Sequence, residues 1–413
     1  MWERVFDSMV RRLIVRGRLT ITGPDGQRRS YGPGGGHEAE LRLTDPGIYR
    51  RFCLTPELAL GEGYMDGAIE VEPDALYELI ALLIVNRNAG QFPPWVRGVD
   101  RMRFVLRRWA MKNTPLTARQ NVAHHYDLSD DLYALFLDED WQYSCAYFAR
   151  PDMTLEEAQE AKKAHIAQKL MIREGDRVLD IGCGWGGMAI TLARDFGARV
   201  VGVTLSENQL KRARARAEAA GLSKRVEFRL LDYRKLDESF DRIVSVGMLE
   251  HVGVPQYQTY FDKVADLLAE DGIALIHTIG RVTEPSAQSP WLAKYIFPGG
   301  YVPSLSELAA PIERSGLYGT DIEVLQGTYH YARTLGHWRK RFEANLDKVR
   351  ALNDERFVRM WRFYLASCEA AFDSTRQGVF QMQLTRRQDT VPATREYLYH
   401  PPVAATQQLK AGE

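Results

Sequence analysis

The stretch Arg177-Val-Leu-Asp-Ile-Gly-Cys-Gly-Trp-Gly-Gly187 decides the fold class of this 413-residue sequence. Its apolar beginning predicts a short buried strand, and a helical pattern follows over residues 188–196. Glycines between a strand and a helix let the backbone turn tightly and approach a ligand, and the helix N-terminus offers N–H groups to negative charge. The stretch therefore predicts a ligand site at the carboxyl end of a strand.

Strands and helices continue to alternate after this stretch. Further strands are predicted at residues 199–204, 226–231, 242–246 and 273–279, with helices at 206–220 and 257–268. Strands separated by helices form parallel βαβ units, so the expected fold class is α/β with a doubly wound sheet. Residues 335–372 are expected to be helical, and residues 379–385 are expected to form a closing strand.

Residues 281–306 interrupt this alternation and are called the lid segment below. They combine several prolines and the pair Gly299-Gly300 with aromatic side chains. A long segment of this composition after a sheet strand is typical of an active-site lid or a substrate wall. The chain after Asp389 is expected to be loosely held.

The position of the acidic residue in the glycine loop separates two ligand classes. A dinucleotide site carries an acidic residue near the end of the next strand, where this sequence has Thr204 and Leu205. Here the acidic residue is Asp180, inside the first strand, and this pattern resembles the first motif of class I S-adenosylmethionine methyltransferases. A dinucleotide site and a glycine turn without a ligand are the alternatives.

The methyltransferase resemblance implies a set of cofactor contacts. Many class I methyltransferases have an acidic residue where Thr204 stands, so Thr204 and Gln209 are expected to contact the ribose. Asp232 and Tyr233 follow the third strand and are expected to meet the adenine, although a helix N-cap is the alternative for Asp232. The other predicted cofactor residues are Tyr143, Ser144, Asp180, Gly182, Gly184, Gly186 and Leu205. No NPPY-type tetrapeptide follows the fourth strand, which weighs against a base-amine methyltransferase.

Six ordered motifs over residues 120–390 carry a closer resemblance. They are the glycine loop, His125-Tyr-Asp-Leu-Ser-Asp-Asp-Leu-Tyr133, Tyr143-Ser-Cys-Ala-Tyr147, Met248-Leu-Glu-His-Val-Gly253, His277-Thr-Ile-Gly280 and Tyr295-Ile-Phe-Pro-Gly-Gly300. Together they resemble the cyclopropane-fatty-acyl-phospholipid synthases and the related mycolic acid cyclopropane synthases. Gly61-Glu-Gly-Tyr-Met-Asp-Gly67 resembles the N-terminal domain of the phospholipid-acting branch and favours that branch.

The resemblance implies a reaction and a second group of site residues. A cis double bond in a phospholipid acyl chain attacks the methyl group of S-adenosylmethionine, and the resulting carbocation loses a proton and closes a cyclopropane ring. Bound bicarbonate is the implied base. The matching catalytic positions are Cys145, Glu250, His277, Ile279 through its backbone, and Tyr331. Taken alone, Cys145 is as often a small buried hydrophobic residue. A lone histidine such as His277 is more often a satisfied core group.

Three other functions remain open. The same carbocation can lose a proton from the chain, which gives a methylene- or methyl-branched fatty acyl group without ring closure. A noncatalytic lipid-binding protein of this fold is disfavoured by the complete glycine loop and base site. A small-molecule natural-product methyltransferase is disfavoured by the large N-terminal region.

The expected domain organisation has four parts. Residues 1–112 form a smaller, mainly helical, lipid- or membrane-associating domain, and residues 113–120 form a linker. Residues 121–390 form the methyltransferase domain with its lid segment, and residues 391–413 form a C-terminal tail. The four cysteines contain no CxxC pair, so no metal site is expected, and together with the lack of a signal peptide they indicate the cytoplasm.

The distribution of charged residues along the sequence indicates which partners the protein binds. The 54 basic and 54 acidic side chains balance, which excludes a typical nucleic-acid binder. Residues 95–119 nevertheless carry seven basic side chains against the single Asp100, interleaved with aromatic residues. This segment and an apolar stripe flanked by arginines in residues 2–14 predict peripheral association with the inner face of an anionic membrane. A homodimer through the N-terminal domain is compatible with the sequence, which does not itself indicate one.

Overall fold

The computed structural model describes residues 1–71, 75–89, 94–111 and 130–399. The predicted linker and the first residues of the His125 motif therefore lie outside the described residues. Within them the chain forms an N-terminal part, up to residue 111, and a larger α/β part.

The N-terminal part is mainly helical, as predicted, and also contains a small sheet. Its elements are α1 (Trp2–Leu13), β1 (Gly17–Thr22), β2 (Arg28–Gly34), β3 (Glu38–Leu43), α2 (Ile48–Leu54), α3 (Pro56–Met65), β4 (Ile69–Val71), α4 (Leu76–Ala89) and α5 (Pro94–Ala110). The strands pair in the order β2-β1-β3-β4. The sheet and α1 enclose a separate apolar core.

The apolar stripe of α1 faces this core. Phe6, Met9 and Val10 are buried, and the Phe6 ring packs against Tyr49 and Phe52 at centroid distances of 5.2 and 5.4 Å. The prediction that this stripe meets a membrane is therefore wrong, because the stripe is used in packing the N-terminal part.

The α/β part is built on a seven-stranded sheet. In chain order its elements are α6 (Asp130–Ala134), α7 (Leu155–Leu170), β5 (Arg177–Ile181), α8 (Gly187–Phe196), β6 (Arg199–Thr204), α9 (Glu207–Ala219), β7 (Val226–Leu230), β8 (Phe240–Val246), α10 (Tyr257–Leu267), β9 (Leu268–Arg281), α11 (Pro290–Tyr295), α12 (Leu305–Arg314), β10 (Tyr318–Gln326), α13 (Ala332–Ala344), α14 (Leu346–Leu352), α15 (Glu355–Ser374), β11 (Gln377–Thr385) and α16 (Glu396–Tyr399).

The strand order β10-β11-β9-β8-β5-β6-β7 confirms the predicted doubly wound α/β fold. Strands β5 to β9 are parallel, while β11 pairs antiparallel with β9 and with β10. The chain runs outward from β5 to β7 and returns to β8 on the other side of β5. Crevices outside the carboxyl ends of strands form at such a reversal, and the glycine loop follows β5 there.

Residues 335–372 are helical, as predicted, and form parts of three helices. The chain leaves helical geometry at Asn345 and at Asn353, after which the Asp354 carboxylate caps α15 by accepting from the Phe357 N–H at 2.7 Å. One expectation differs from the observed elements. The tail after Asp389 was predicted to be loosely held, but it is held as far as residue 399. There the Gln168 amide donates to the carbonyl oxygens of Tyr397 and Leu398 at 2.9 and 2.7 Å.

The glycine-rich motif of α3 joins the two parts. A Cβ added to Gly61 would overlap the indole of Trp291 in the lid segment, so this position requires glycine. The Glu62 carboxylate accepts from the Lys294 ammonium at 2.7 Å and from the Tyr295 hydroxyl at 2.9 Å. The lid segment is therefore packed against the N-terminal part and forms a wall.

Candidate active site

The glycine loop bends sharply between β5 and α8. Gly182, Gly184 and Gly186 have φ values of +82°, +53° and +84°, a region that favours glycine. A Cβ on Gly186 would also lie 2.6 Å from the ring of Phe228, so this residue is required for close packing of the loop against β7.

A pocket lies over this loop and is called the cofactor pocket. It is lined by all the predicted cofactor residues except Gly186, which packs behind the loop. The predicted residues on its wall are Tyr143, Ser144, Asp180, Gly182, Gly184, Thr204, Leu205, Gln209, Asp232 and Tyr233. The structure thus brings together residues from the ends of β5, β6 and β7 with the separate segment 143–144.

Thr204 and Gln209, the two residues predicted to contact the ribose, are hydrogen-bonded to each other. The Thr204 hydroxyl donates to the Gln209 side-chain oxygen at 2.9 Å, and both side chains are buried. Asp232 lines the pocket, as predicted, and is also an N-cap, which was the alternative interpretation. Its carboxylate accepts from the Arg234 N–H at 3.0 Å and caps a short 3₁₀ turn.

Asp180 is a buried carboxyl group of the cofactor pocket. Its side chain is 2% exposed, and its Oδ2 has no hydrogen-bond partner within the described residues. Burial raises the pKa of Asp180 to about 7. A buried carboxylate without a partner is costly, so the site fits a ligand that brings a cationic or N–H group.

A second cavity, the apolar cavity, brings together the predicted catalytic residues. Its volume is about 870 Å³, within the range of roughly 300–1,000 Å³ typical of small-ligand pockets. Cys145, Glu250, His277, Ile279 and Tyr331 all line it.

The two cavities share a wall. Tyr143, Ser144, Gly247 and His251 line both of them. The Tyr143 hydroxyl lies 2.7 Å from the Tyr364 hydroxyl of α15, which fixes its ring at this boundary. A group bound in one cavity can therefore touch a group bound in the other.

One carboxylate oxygen of Glu250 accepts a hydrogen bond, and the other has no partner among the described residues. Its Oε1 accepts from the Ile279 backbone N–H at 2.6 Å, while its Oε2 has no partner among the described residues. Burial raises the pKa of Glu250 to about 7. Ile279 was predicted to contact bicarbonate through its backbone, and the structure gives its N–H a different partner, namely the Glu250 carboxylate.

His277 is neutral, and its tautomer follows from the amide nitrogen that faces its Nδ1. Burial lowers the pKa of His277 well below its usual range, and its Nδ1 accepts from the Gln381 amide at 3.2 Å. The remaining hydrogen is then on Nε2, which makes this nitrogen a donor. Cys145 is 1% exposed, and burial raises the pKa of its thiol, so it stays uncharged.

Sequence reasoning missed several residues of the site. Gln381 on β11 and Lys162 on α7 are fully buried polar groups. Both elements contain other polar residues, so no local sequence signal points to these two. Arg216 donates to the Trp185 carbonyl of the glycine loop at 2.8 Å and was also missed.

The N-terminal part supplies much of the apolar cavity, which the sequence did not indicate. Its wall includes Phe6, Leu19, Leu41, Leu60 and Ile84. These residues come from five different elements of the N-terminal part.

The rim of the cavity is basic. Its exposed lining residues are Arg87, Thr283 and Arg376, with Arg281 half-buried beside them. Arg87 pairs with Glu57, which also lines the cavity.

Comparison with known proteins agrees with this geometry. The family model described as mycolic acid cyclopropane synthetase matches residues 113–382, and a domain of unknown function matches residues 5–92. The chain belongs to the mycolic acid cyclopropane synthetase family. It is 38% identical to the cyclopropane-fatty-acyl-phospholipid synthase of Escherichia coli K12 over 85% of this chain and 89% of that protein.

Other members of the family extend the comparison. The chain is 36% identical to a probable fatty acid methyltransferase of Pseudomonas putida, over 91% of this chain and 94% of that protein. The solved structure of mycolic acid cyclopropane synthase CmaA1 with SAH and CTAB shares 35% identity and a TM-score of 0.61, covering 64% of this chain and 97% of that one. The protein is therefore an S-adenosylmethionine-dependent transferase that acts on lipids.

No helix within residues 1–71, 75–89, 94–111 and 130–399 is both long and apolar enough to cross a bilayer. Over the same ranges, no group of three His, Cys, Asp or Glu side chains is arranged to hold a metal ion.

Proposed function

We propose that the protein adds the methyl carbon of S-adenosylmethionine to a cis double bond of a phospholipid acyl chain and closes a cyclopropane ring. The observation that carries this proposal is the wall shared by the cofactor pocket and the apolar cavity. An acyl chain in the second cavity can reach a methyl group presented from the first across Tyr143 and Gly247.

The reaction needs positioning and exclusion of water. S-adenosylmethionine supplies an electrophilic methyl group when bound, but an alkene is a weak nucleophile. The buried part of the apolar cavity can hold the double bond in place and exclude competing water. The ring of Tyr143 at the shared wall can stabilise positive charge that develops on the chain.

The proton is removed by a small anion, which we propose to be bicarbonate. A side-chain carboxylate in direct contact with a carbocation risks being alkylated, whereas an exchangeable anion avoids this. The His277 Nε2–H is a donor for such an oxyanion, and Glu250 Oε2 is an open acceptor for its hydroxyl. The neutral Cys145 thiol and Tyr331 line the same cavity.

The basic rim supports a phospholipid as the substrate. Arg87, Arg281 and Arg376 outnumber the single Glu57 there, so the end of the cavity open to solvent attracts an anionic group. A phosphodiester attached to the acyl chain meets that condition.

One assay tests the proposal. The protein is incubated with S-adenosylmethionine and vesicles of dioleoyl phosphatidylglycerol, and the acyl chains are examined by mass spectrometry and proton NMR. Gain of one CH₂ with cyclopropyl protons is the expected result. The second candidate, favoured by the similarity to a probable fatty acid methyltransferase, predicts the same mass with vinyl or methylene signals. No mass gain would refute both.

We further propose that α5 is the membrane contact. Trp95, Val99, Met102 and Leu106 recur at helical spacing and are all exposed, Met102 by 56% and Leu106 by 51%. Elsewhere on α5, Arg103 donates to the Gln288 carbonyl at 2.8 Å, and Gln288 lines the apolar cavity. A bilayer touching this stripe would lie beside the cavity wall, which supports peripheral association at the inner face of the membrane.

A homodimer and the domain limits at residues 112 and 390 also remain proposals.

The double variant Met102→Glu, Leu106→Glu should weaken binding to anionic vesicles at least about tenfold, because each apolar side chain loses about 1.5–3 kcal/mol of burial in lipid. Co-sedimentation at low and high salt measures this, and wild-type binding should itself fall at high salt. Leu352→Glu, which changes an exposed leucine on α14, is the control. Unchanged vesicle binding by the double variant would rule out α5 as the contact.

A further inference from the structure

A buried lysine lies directly behind the wall of the cofactor pocket. Lys162 on α7 is 0% exposed, and its ammonium donates to the Gln142 side-chain oxygen at 2.6 Å and to the Ser144 hydroxyl oxygen at 2.8 Å. Gln142 and Ser144 both line the cofactor pocket. The lysine therefore reaches the pocket through these two side chains.

Lys162 differs from the other buried lysines of the same helix. Lys163 pairs with Asp140 at 2.5 Å, and Lys169 pairs with Glu323 at 2.5 Å. Within the described residues, no carboxylate lies within 4.0 Å of the Lys162 ammonium, although Asp138 attracts it from farther away. Burying a cation costs several kcal/mol unless a close anion compensates it. Among the described residues, the charge of Lys162 is therefore not balanced by a close anion, and its two contacts are neutral side chains of the pocket wall.

The hydrogen bond from Lys162 fixes the direction of the Ser144 hydroxyl. An ammonium only donates, so Ser144 Oγ accepts from it and its own hydrogen must point elsewhere. Ser144 is 8% exposed and lines the pocket, so a donor backed by positive charge faces the ligand. Such a donor suits a carboxylate.

An acidic side chain lines the same pocket. Asp180, whose Oδ2 has no partner among the described residues, shares this wall with Ser144, and Lys162 also acts on it electrostatically. The pocket therefore combines a carboxylate with a donor supported by a cation. An amino-acid zwitterion, with its ammonium toward Asp180 and its carboxylate toward Ser144, matches this pair of charges.

We propose that Lys162 is the positioning residue for the carboxylate of the methionyl end of S-adenosylmethionine, acting through the Ser144 hydroxyl. This inference rests on the S-adenosylmethionine-dependent function and adds to it the means by which the amino-acid end of the cofactor is recognised. Correct placement of that end fixes how far the methyl group projects toward the shared wall at Tyr143 and Gly247.

Two ligands that differ only by the carboxylate test the proposal. The affinities of full-length Lys162→Met for S-adenosylmethionine and for decarboxylated S-adenosylmethionine are measured by calorimetry. The variant should bind the first at least about tenfold more weakly, as expected for loss of a charge-assisted contact. It should bind the second as well as the wild type does or better, because a positive charge has been removed near a cationic ligand. Lys169→Met, an equally buried lysine on the same helix, should change neither affinity.

Other results would overturn the proposal. Equal losses for the two ligands would show that Lys162 only supports the fold of the pocket, and no loss would show that it does not act on the cofactor. If Lys162→Met does not fold, Ser144→Ala serves instead and should weaken only the carboxylated ligand. Equal weakening of both ligands by Ser144→Ala would also reject the idea. Wild-type protein that binds neither ligand would refute the proposed function itself.

Discussion

Glu250→Gln is expected to lower turnover of the lipid about a thousandfold while leaving affinity for S-adenosylmethionine within about twofold. Glutamine keeps the size of the side chain and can still accept from the Ile279 N–H, which Glu250 does at 2.6 Å. Its neutral amide carries no negative charge and cannot accept a proton at the position of Glu250 Oε2. The loss should therefore appear in kcat, since the cofactor pocket is lined by other residues.

The pH profile gives this prediction a second readout. Burial raises the pKa of Glu250 to about 7, so the carboxylate forms only as the pH rises through that value. Turnover by the wild type should increase over this interval, and the residual activity of Glu250→Gln should not. Glu284→Gln, at an exposed position of the lid segment, is the control. Near-normal turnover by Glu250→Gln would show that the proton leaves by another route.

Gly61→Leu should lower lipid turnover at least about a hundredfold, while S-adenosylmethionine still binds. Even a single added carbon would overlap the Trp291 indole, and overpacking of this kind forces side chains and backbone to move. Trp291 is 1% exposed, lines the apolar cavity and packs against Phe363 at a centroid distance of 4.6 Å. Its displacement would deform the cavity without touching the glycine loop.

The matched control is Gly319→Leu. A Cβ at Gly319 meets nothing within 4 Å, so this variant should keep wild-type turnover. Calorimetric titration with S-adenosylmethionine separates a deformed cavity from an unfolded protein. Full activity of Gly61→Leu would show that the lid segment tolerates being moved away from α3.

The sequence predicted those parts of the site that follow from local patterns. The run from Arg177 to Gly187 indicates the strand, the turn and the helix by itself, and the strands β6 to β9 follow from their apolar residues. The cavity residues Cys145, Glu250, His277 and Tyr331 were predicted only through family resemblance, and the structure places all four on one cavity. Their roles in catalysis remain predictions.

The parts that sequence reasoning missed depend on contacts between distant segments. Gln381 reaches His277 because β11 pairs antiparallel with β9 in a register that puts these two residues opposite each other. The periodicity of α1 indicates that Phe6, Met9 and Val10 are buried, but it cannot say against what, and this is why the membrane prediction for α1 was wrong. Likewise, the contact of Lys162 with Ser144 exists only because α7 packs behind Ser144 in the folded protein.

The contact between Gly61 and Trp291 has a consequence for inheritance and engineering. The apolar cavity, in which we propose that the acyl chain binds, is lined by residues of the N-terminal part and of the lid segment, which meet at Gly61 and Trp291. Under that proposal, neither part determines the choice of substrate alone. If the N-terminal part is exchanged between relatives, we expect an active protein only when residues 61 and 291 are exchanged together. Selection for a new acyl-chain length should accordingly produce paired substitutions on both sides of this contact.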